Sequence, residues 1–199
     1  LFANALQMAA DDDSDTPKNQ WVFSEQAGFE APLPLKARLR MAAAYHKWSN
    51  EGRSSLSPAV ALDGNRRTVN STAGILQNKF GVGEVTAQLS GAIAKVPVSL
   101  QATLARNLRA RGDLAGPRAW DGCQAGFVVG KAAAENSWEA AYFKKYAETD
   151  ATVADVADAD FGDGGTNRKG HIFLAAYNPR EWLQVKFKGF VTDTLHTQF

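Results

Sequence analysis

The sequence predicts an all-β fold, an antiparallel up-and-down transmembrane β-barrel with about eight strands and a stub in view. Its 199 residues read as a single β-barrel segment, 1–199, part of a larger barrel and incomplete at both ends. Three observations carry that expectation. Segments alternate apolar and polar side chains with a period of two, as strands with one apolar and one wet face do. The connections between them alternate short and long, and aromatic residues gather toward segment ends.

In chain order, residues 1–6 form the stub and WVFSEQAGFEA the first full strand, with Trp21, Phe23, Ala27 and Phe29 on one face. Glu25 shares that face, an awkward place if it meets lipid. ARLRMAAAYHKW sets Ala37, Leu39, Met41, Ala43 and Tyr45 against Arg38, Arg40, Ala42, Ala44 and His46. VTAQLSGAI sets Val85, Leu89 and Ile93 against Thr86, Gln88 and Ser90, and VPVSLQATLARN sets Val98, Leu100 and Leu104 against Ser99, Gln101 and Thr103. CQAGFVVGK, WEAAYFKKY and GHIFLAAYN alternate less cleanly, but their aromatic, Ala and Gly content fits strands better than helices. In the second of these Lys144 falls on the face of Trp138, Ala140 and Tyr142. The last segment, WLQVKFKGFVTD, sets Leu183, Val185, Phe187, Gly189 and Val191 against Gln184, Lys186, Lys188 and Thr192. Phe190 is the one large apolar residue on its polar side.

Short connections fall at 31–36, 94–97, 132–137 and 178–181, and long polar ones at 7–20, 49–83, 109–122 and 147–169. Antiparallel neighbours joined this way place every short turn at one end of the sheet and every long loop at the other, the layout of an outer-membrane barrel. Trp21, Trp48, Trp138, Tyr146, Tyr177 and Trp182 lie toward segment ends, where two aromatic girdles belong. A soluble barrel could show the same alternation with its apolar face inward. Rows of small residues such as Ala37, Ala43, Ala87 and Ala102 would fill such an interior poorly.

Composition narrows the function classes. A net charge of +1 and a pI near 8.0 give no basic excess for nucleic acid. The single cysteine, Cys123, excludes an internal disulfide, reads as an inert apolar-facing thiol, and no Cys/His cluster supports zinc. The opening LFANALQMAADDDSD has neither initiator Met nor signal-peptide pattern and reads as mature or truncated chain. No apolar run of roughly 18 residues predicts a transmembrane helix. Asp11, Asp12, Asp13 and Asp15 crowd one loop, and Asp155, Asp158, Asp160 and Asp163 another. Such density admits Ca2+, but D-x-D-x-x-D-G is not EF-hand spacing, and a solvated loop is the default. His46, His171 and His196 are scattered, with no HExxH, G-x-S-x-G or P-loop pattern, so an enzyme is not expected and no cofactor is called for.

One stretch goes beyond pattern. DADFGDGGTNRKGHIFLAAYN (158–178) runs from a Gly- and Asp-rich loop straight into a strand, between WEAAYFKKYAETDA and WLQVKFKGFVTDTL. In that order over 122–195, the sequence resembles the bacterial putative porin family of outer-membrane proteins. Over 20–107 the likeness is looser, resting on strand order and Leu-Pro turns. The resemblance implies a β-barrel pore for passive diffusion across the bacterial outer membrane, and it carries over no functional residue. In such families the last strand ends at an aromatic C-terminus, whereas Phe199 follows the polar run HTQ.

The expected function is a porin-like channel for small hydrophilic solutes or ions, in contact with outer-membrane lipid, with a homo-oligomer suggested by analogy alone. Its expected lining is Arg38, Arg40, His46, Gln88, Gln101, Thr103, Gln184, Lys186 and Lys188. Arg38, Arg40, Lys186 and Lys188 would favour anions if they set the lumen field, and otherwise are ordinary wet-face charge. Two rival functions stay open: an outer-membrane anchor or adhesion barrel whose long loops bind a partner, and a soluble secreted β-barrel binding module.

Overall fold

Alternation sustained over 10 to 13 residues per segment becomes one antiparallel sheet. The structure, a computed structural model, describes residues 1–11, 19–49, 64–69, 74–111, 118–158, 160–162 and 164–195. Asp12, Asp13 and Asp15, most of the loop after Ser49, Asp163, His196, Phe199 and the side chains of Asp11 and Asp155 lie outside the described residues.

The strands are β1 (Phe2–Asp11), β2 (Gln20–Pro32), β3 (Arg38–Ser49), β4 (Arg67–Val69), β5 (Gly74–Leu76), β6 (Gly81–Ile93), β7 (Val96–Asn107), β8 (Asp121–Gly130), β9 (Ser137–Ala147), β10 (Arg168–Arg180) and β11 (Leu183–Thr194). Among the described residues nine of them form one sheet, in the order β1-β2-β3-β6-β7-β8-β9-β10-β11. The expected stub is therefore a full-length strand. Strands β4 and β5 pair with each other inside the loop after β3, a hairpin that the sequence reading leaves as loop. The sheet is not closed on itself, and β1 and β11 are its edges. Each main strand is long enough to cross a bilayer core when tilted. No helix among the described residues is long and apolar enough to do so, which has no bearing on crossing by strands.

Short turns follow β2, β6, β8 and β10, while longer segments follow β1, β3, β7 and β9, so each kind collects at its own end of the sheet. The β6–β7 turn is the tightest. Ile93 pairs with Val96, and Ala94 and Lys95 between them take φ of +48° and +71°, the left-handed pair that a two-residue hairpin asks for. Register breaks between Tyr177 and Arg180 carry the last turn to Glu181 and Trp182.

Directly paired residues share a face, so one register fixes both faces of the whole sheet. The row Glu30, Arg40, Gln88, Gln101, Gly126, Phe143, Ile172, Phe190 crosses one face. Both buried hydrophobic clusters form on that face, which we call inner. The opposite, outer face exposes Phe23, Phe29, Tyr45, Val85, Leu89, Leu100, Leu104, Phe127, Phe173, Phe187 and Val191.

Candidate functional site

All nine expected lining residues take inner-face positions, but seven of them fall into two groups, and Arg38 and His46 stand apart from both. Arg40, Gln88, Gln101 and Thr103 meet around a shared hollow on β3, β6 and β7. Gln184, Lys186 and Lys188 follow the inner side of β11, roughly 19 Å from β7 and roughly 29 Å from β3 along the sheet at about 4.8 Å per strand. Arg38 spans to Glu30 at 3.3 Å. His46 shares a 2.6 Å hydrogen bond with Ser24 nearer the long-loop end. Gln184 donates to the Asn178 side chain at 2.8 Å and to the Ala132 carbonyl at 2.9 Å.

The loop between β9 and β10 folds over the inner face. Its Phe161 is fully buried against Ala141, Phe143 and Ile172, with Val128, Leu174 and Phe190 at the margin. The Phe161 and Phe190 rings meet edge to face with centroids 6.2 Å apart, and Lys145 Nζ stands 4.7 Å from the Phe161 ring centre. Lys188 Nζ reaches the Asp160 carboxylate at 2.9 Å and that of Asp158 at 3.8 Å. The apolar exception noted at Phe190 thus has a cause: it is the floor on which a loop aromatic rests.

A second cluster lies toward the long-loop end. Val22 and Trp48 of the inner face pack with Leu76, Phe80 and Val153, which come from the loops after β3 and β9. Beside it the buried Asp150 carboxylate accepts hydrogen bonds from the Arg66 backbone N–H at 3.1 Å and the Asn78 amide at 2.6 Å. Asn65 donates to the carbonyls of Thr149 and Thr152 at 2.6 and 2.9 Å and accepts from Ala154 N–H at 2.7 Å. The Asp150 N–H donates to the Ala119 carbonyl at 2.7 Å, which brings in the loop after β7. Three loops are tied at one buried point.

Two of the expected girdle positions need correction. Trp48 is 3% exposed and faces inward, because the loops supply an apolar cover there and its even position in β3 points the side chain at them. Trp182 lies in the turn before β11, 82% exposed, because the register break ends β10 two residues later than alternation suggests. Trp138 and Tyr177 are directly paired on the outer face near the short turns, and Trp21 and Tyr146 occupy outer positions near the long loops. Glu25 and Lys144 are both exposed on the outer face. Lys144 is three residues from the end of β9, beside a Tyr142–His171 hydrogen bond of 2.8 Å.

Sequence reading missed Lys145, Phe161 and the Asn65–Asn78–Asp150 hub. Parity marks Lys145, since it alternates with Tyr142, Lys144 and Tyr146. Nothing local marks Phe161 as an inward anchor. Among the described residues no three His, Cys, Asp or Glu side chains gather as a metal site, and Asp158 and Asp160 face Lys188.

Compared with known proteins, residues 85–197 match a family model described as Putative porin. No curated protein and no solved structure matches the chain.

Proposed function

The chain belongs to the putative porin family, and on that premise we propose that its sheet is an arc of wall in an outer-membrane channel for passive diffusion of small hydrophilic solutes or ions. The observation that carries the reading is the inversion of the two faces. Leu89, Leu100 and Phe127 stand in one exposed row outside, while Gln88, Gln101 and Thr103 line the inside. An apolar exterior facing hydrocarbon and a polar interior facing water is what a barrel wall in lipid requires.

Unpaired edges are not tolerated in lipid, so β1 and β11 take strand partners there. Both run toward the long-loop end, and an all-antiparallel ring containing them needs an odd number of further strands. Transport on this reading is passive and uses no cofactor and no catalytic group. Arg38, Arg40, Lys145, Arg168, Lys186 and Lys188 on the inner positions meet Glu30, Glu84 and Glu139, with Asp158 and Asp160 of the covering loop set against Lys188, which leaves a small positive excess and a weak preference for anions. The loop over Phe143 and Ile172 narrows the passage beside β9 to β11.

Planar-bilayer recording from the full-length protein under a KCl gradient tests this. Discrete conductance steps with a reversal potential on the chloride side are expected. Absence of steps from protein shown to be folded and inserted would remove the channel reading. That outcome would favour a second reading, an outer-membrane anchor filled by its own loops, for which the inward burial of Phe161 and Val153 speaks.

A further inference from the structure

The inner wall from β1 to β7 holds a hollow of about 250 Å3 whose lining comes entirely from strands. Phe2, Arg40, Thr86, Gln88, Gln101 and Thr103 surround it. Its volume lies just below the usual range for ligand pockets and suits a small solute.

Arg40 is the centre of its chemistry. The guanidinium carbon stands 4.7 Å from the centre of the Phe2 ring, which packs over Gly28 so closely that a Cβ there would lie 2.5 Å from the ring's Cζ. A bare backbone at Gly28 is thus what leaves room for the ring beside the guanidinium. Glu30 is directly paired with Arg40 in the sheet, yet its carboxylate contacts Arg38 instead. Two guanidinium groups against one carboxylate leave a net positive charge, and Arg40 makes no carboxylate contact among the described residues.

The rest of the lining is neutral and bifunctional. Gln88 is paired with Gln101, and Thr86 with Thr103, in adjacent rows. Amide and hydroxyl groups both donate and accept, which matches hydroxyl groups on a ligand. A guanidinium matches a carboxylate through two parallel hydrogen bonds.

We propose that this hollow is a binding subsite for a small hydroxylated carboxylate, with Arg40 taking the carboxylate and the paired Gln and Thr side chains taking its hydroxyls. The proposal rests on the reading that the inner face meets water.

The test is saturation-transfer NMR on the full-length protein in detergent micelles, with D-gluconate as probe and D-glucose as neutral control. Gluconate is expected to show saturable binding and glucose about ten-fold weaker binding or none, the loss of one charge-assisted contact. Arg40→Gln should weaken gluconate binding about ten-fold or more, whereas Lys186→Gln should leave it within about two-fold. Arg40→Lys, which keeps the charge and loses the fork, should fall between them. If Arg40→Gln does not fold, the double variant Gln88→Ala/Gln101→Ala, shown by circular dichroism to be folded, should weaken gluconate binding about ten-fold. Gluconate binding that equals glucose binding, or that survives both Arg40→Gln and the Gln double variant, overturns the subsite. Binding by a protein that does not conduct would uphold the subsite and sink the channel, and conduction without gluconate binding would do the reverse.

Discussion

Replacing Phe161 with alanine should lift the tip of the β9–β10 loop off the inner wall. Phe161 is fully buried against Ala141, Phe143 and Ile172, so truncation removes a complete aromatic contact from a packed site. Phe→Ala changes of that kind cost about 3–5 kcal/mol. The companion ion pair between Lys188 and Asp160 has side chains 38% and 67% exposed and contributes about 0–1 kcal/mol. At about 3 kcal/mol, the docked-to-undocked ratio of the tip falls roughly 150-fold, against roughly five-fold at most for Lys188→Gln. The base of the loop stays anchored, because Asn65 and Asp150 hold residues 149–154 independently. Hydrogen exchange on the full-length protein reads this directly. Amides over 156–164 should exchange roughly a hundred-fold faster in Phe161→Ala, with those of β9 and β10 unchanged and Thr166 held by its hydrogen bond to the Thr149 carbonyl. Unchanged loop exchange in that variant, or a larger effect from Lys188→Gln, would refute the apolar-anchor argument.

Further expectations concern the turn, the two faces and the loop hub. Ala94→Asn/Lys95→Gly relieves two non-Gly residues held at φ of +48° and +71°, and should raise stability to urea unfolding by about 1–2 kcal/mol. Leu100→Arg, on the outer face near the middle of β7, should destabilise by about 2–4 kcal/mol in bilayer refolding titrations. The same change one residue along, Gln101→Arg, should cost less than about 1 kcal/mol, since that side chain faces inward. Equal costs at the two positions would show that the faces are misassigned. Asp150→Ala strips the acceptor from Arg66 N–H and the Asn78 amide, about 1–3 kcal/mol for each group, and should speed limited proteolysis within 64–80 and 148–158.

Period-two patterning, read with the alternation of short and long connections, recovers the up-and-down sheet, and its parity puts every expected lining residue on one face of it. It works because register is common to all the strands, so one correct parity propagates across the row from Glu30 to Phe190. The less clean segments were informative for a reason that became visible only in three dimensions. WEAAYFKKY and GHIFLAAYN carry Phe143, Ile172 and Leu174 on the wet side because a loop lands there, so both faces of β9 and β10 carry apolar side chains and alternation fades. Val22 and Trp48 break the rule at the other cluster for the same reason. The partners Phe161, Leu76 and Val153 sit in polar loops whose own sequence has no period to read, and their separation from the wall residues in the chain hides the contact. The hub at Asp150 is illegible for a related reason, since Asn65 and Asn78 lie 85 and 72 positions from it and act only once the loops have met.

The way the loop tip is held has a consequence for a cell whose surroundings change in salinity. Charges on an exposed wall act over a Debye length, about 10 Å at 0.1 M and about 3 Å at 1 M, so any preference set by Arg40 or Lys186 fades in brine. A ring seated among Ala141, Phe143 and Ile172 is indifferent to that screening, and salting-out ions press it down more firmly. On the channel reading, the loop's seating and any ion preference therefore answer to different properties of the outside water. If the sheet walls a channel, as proposed, the width set by this loop would hold in fresh or saline water, and the medium would alter only which solutes are drawn toward it.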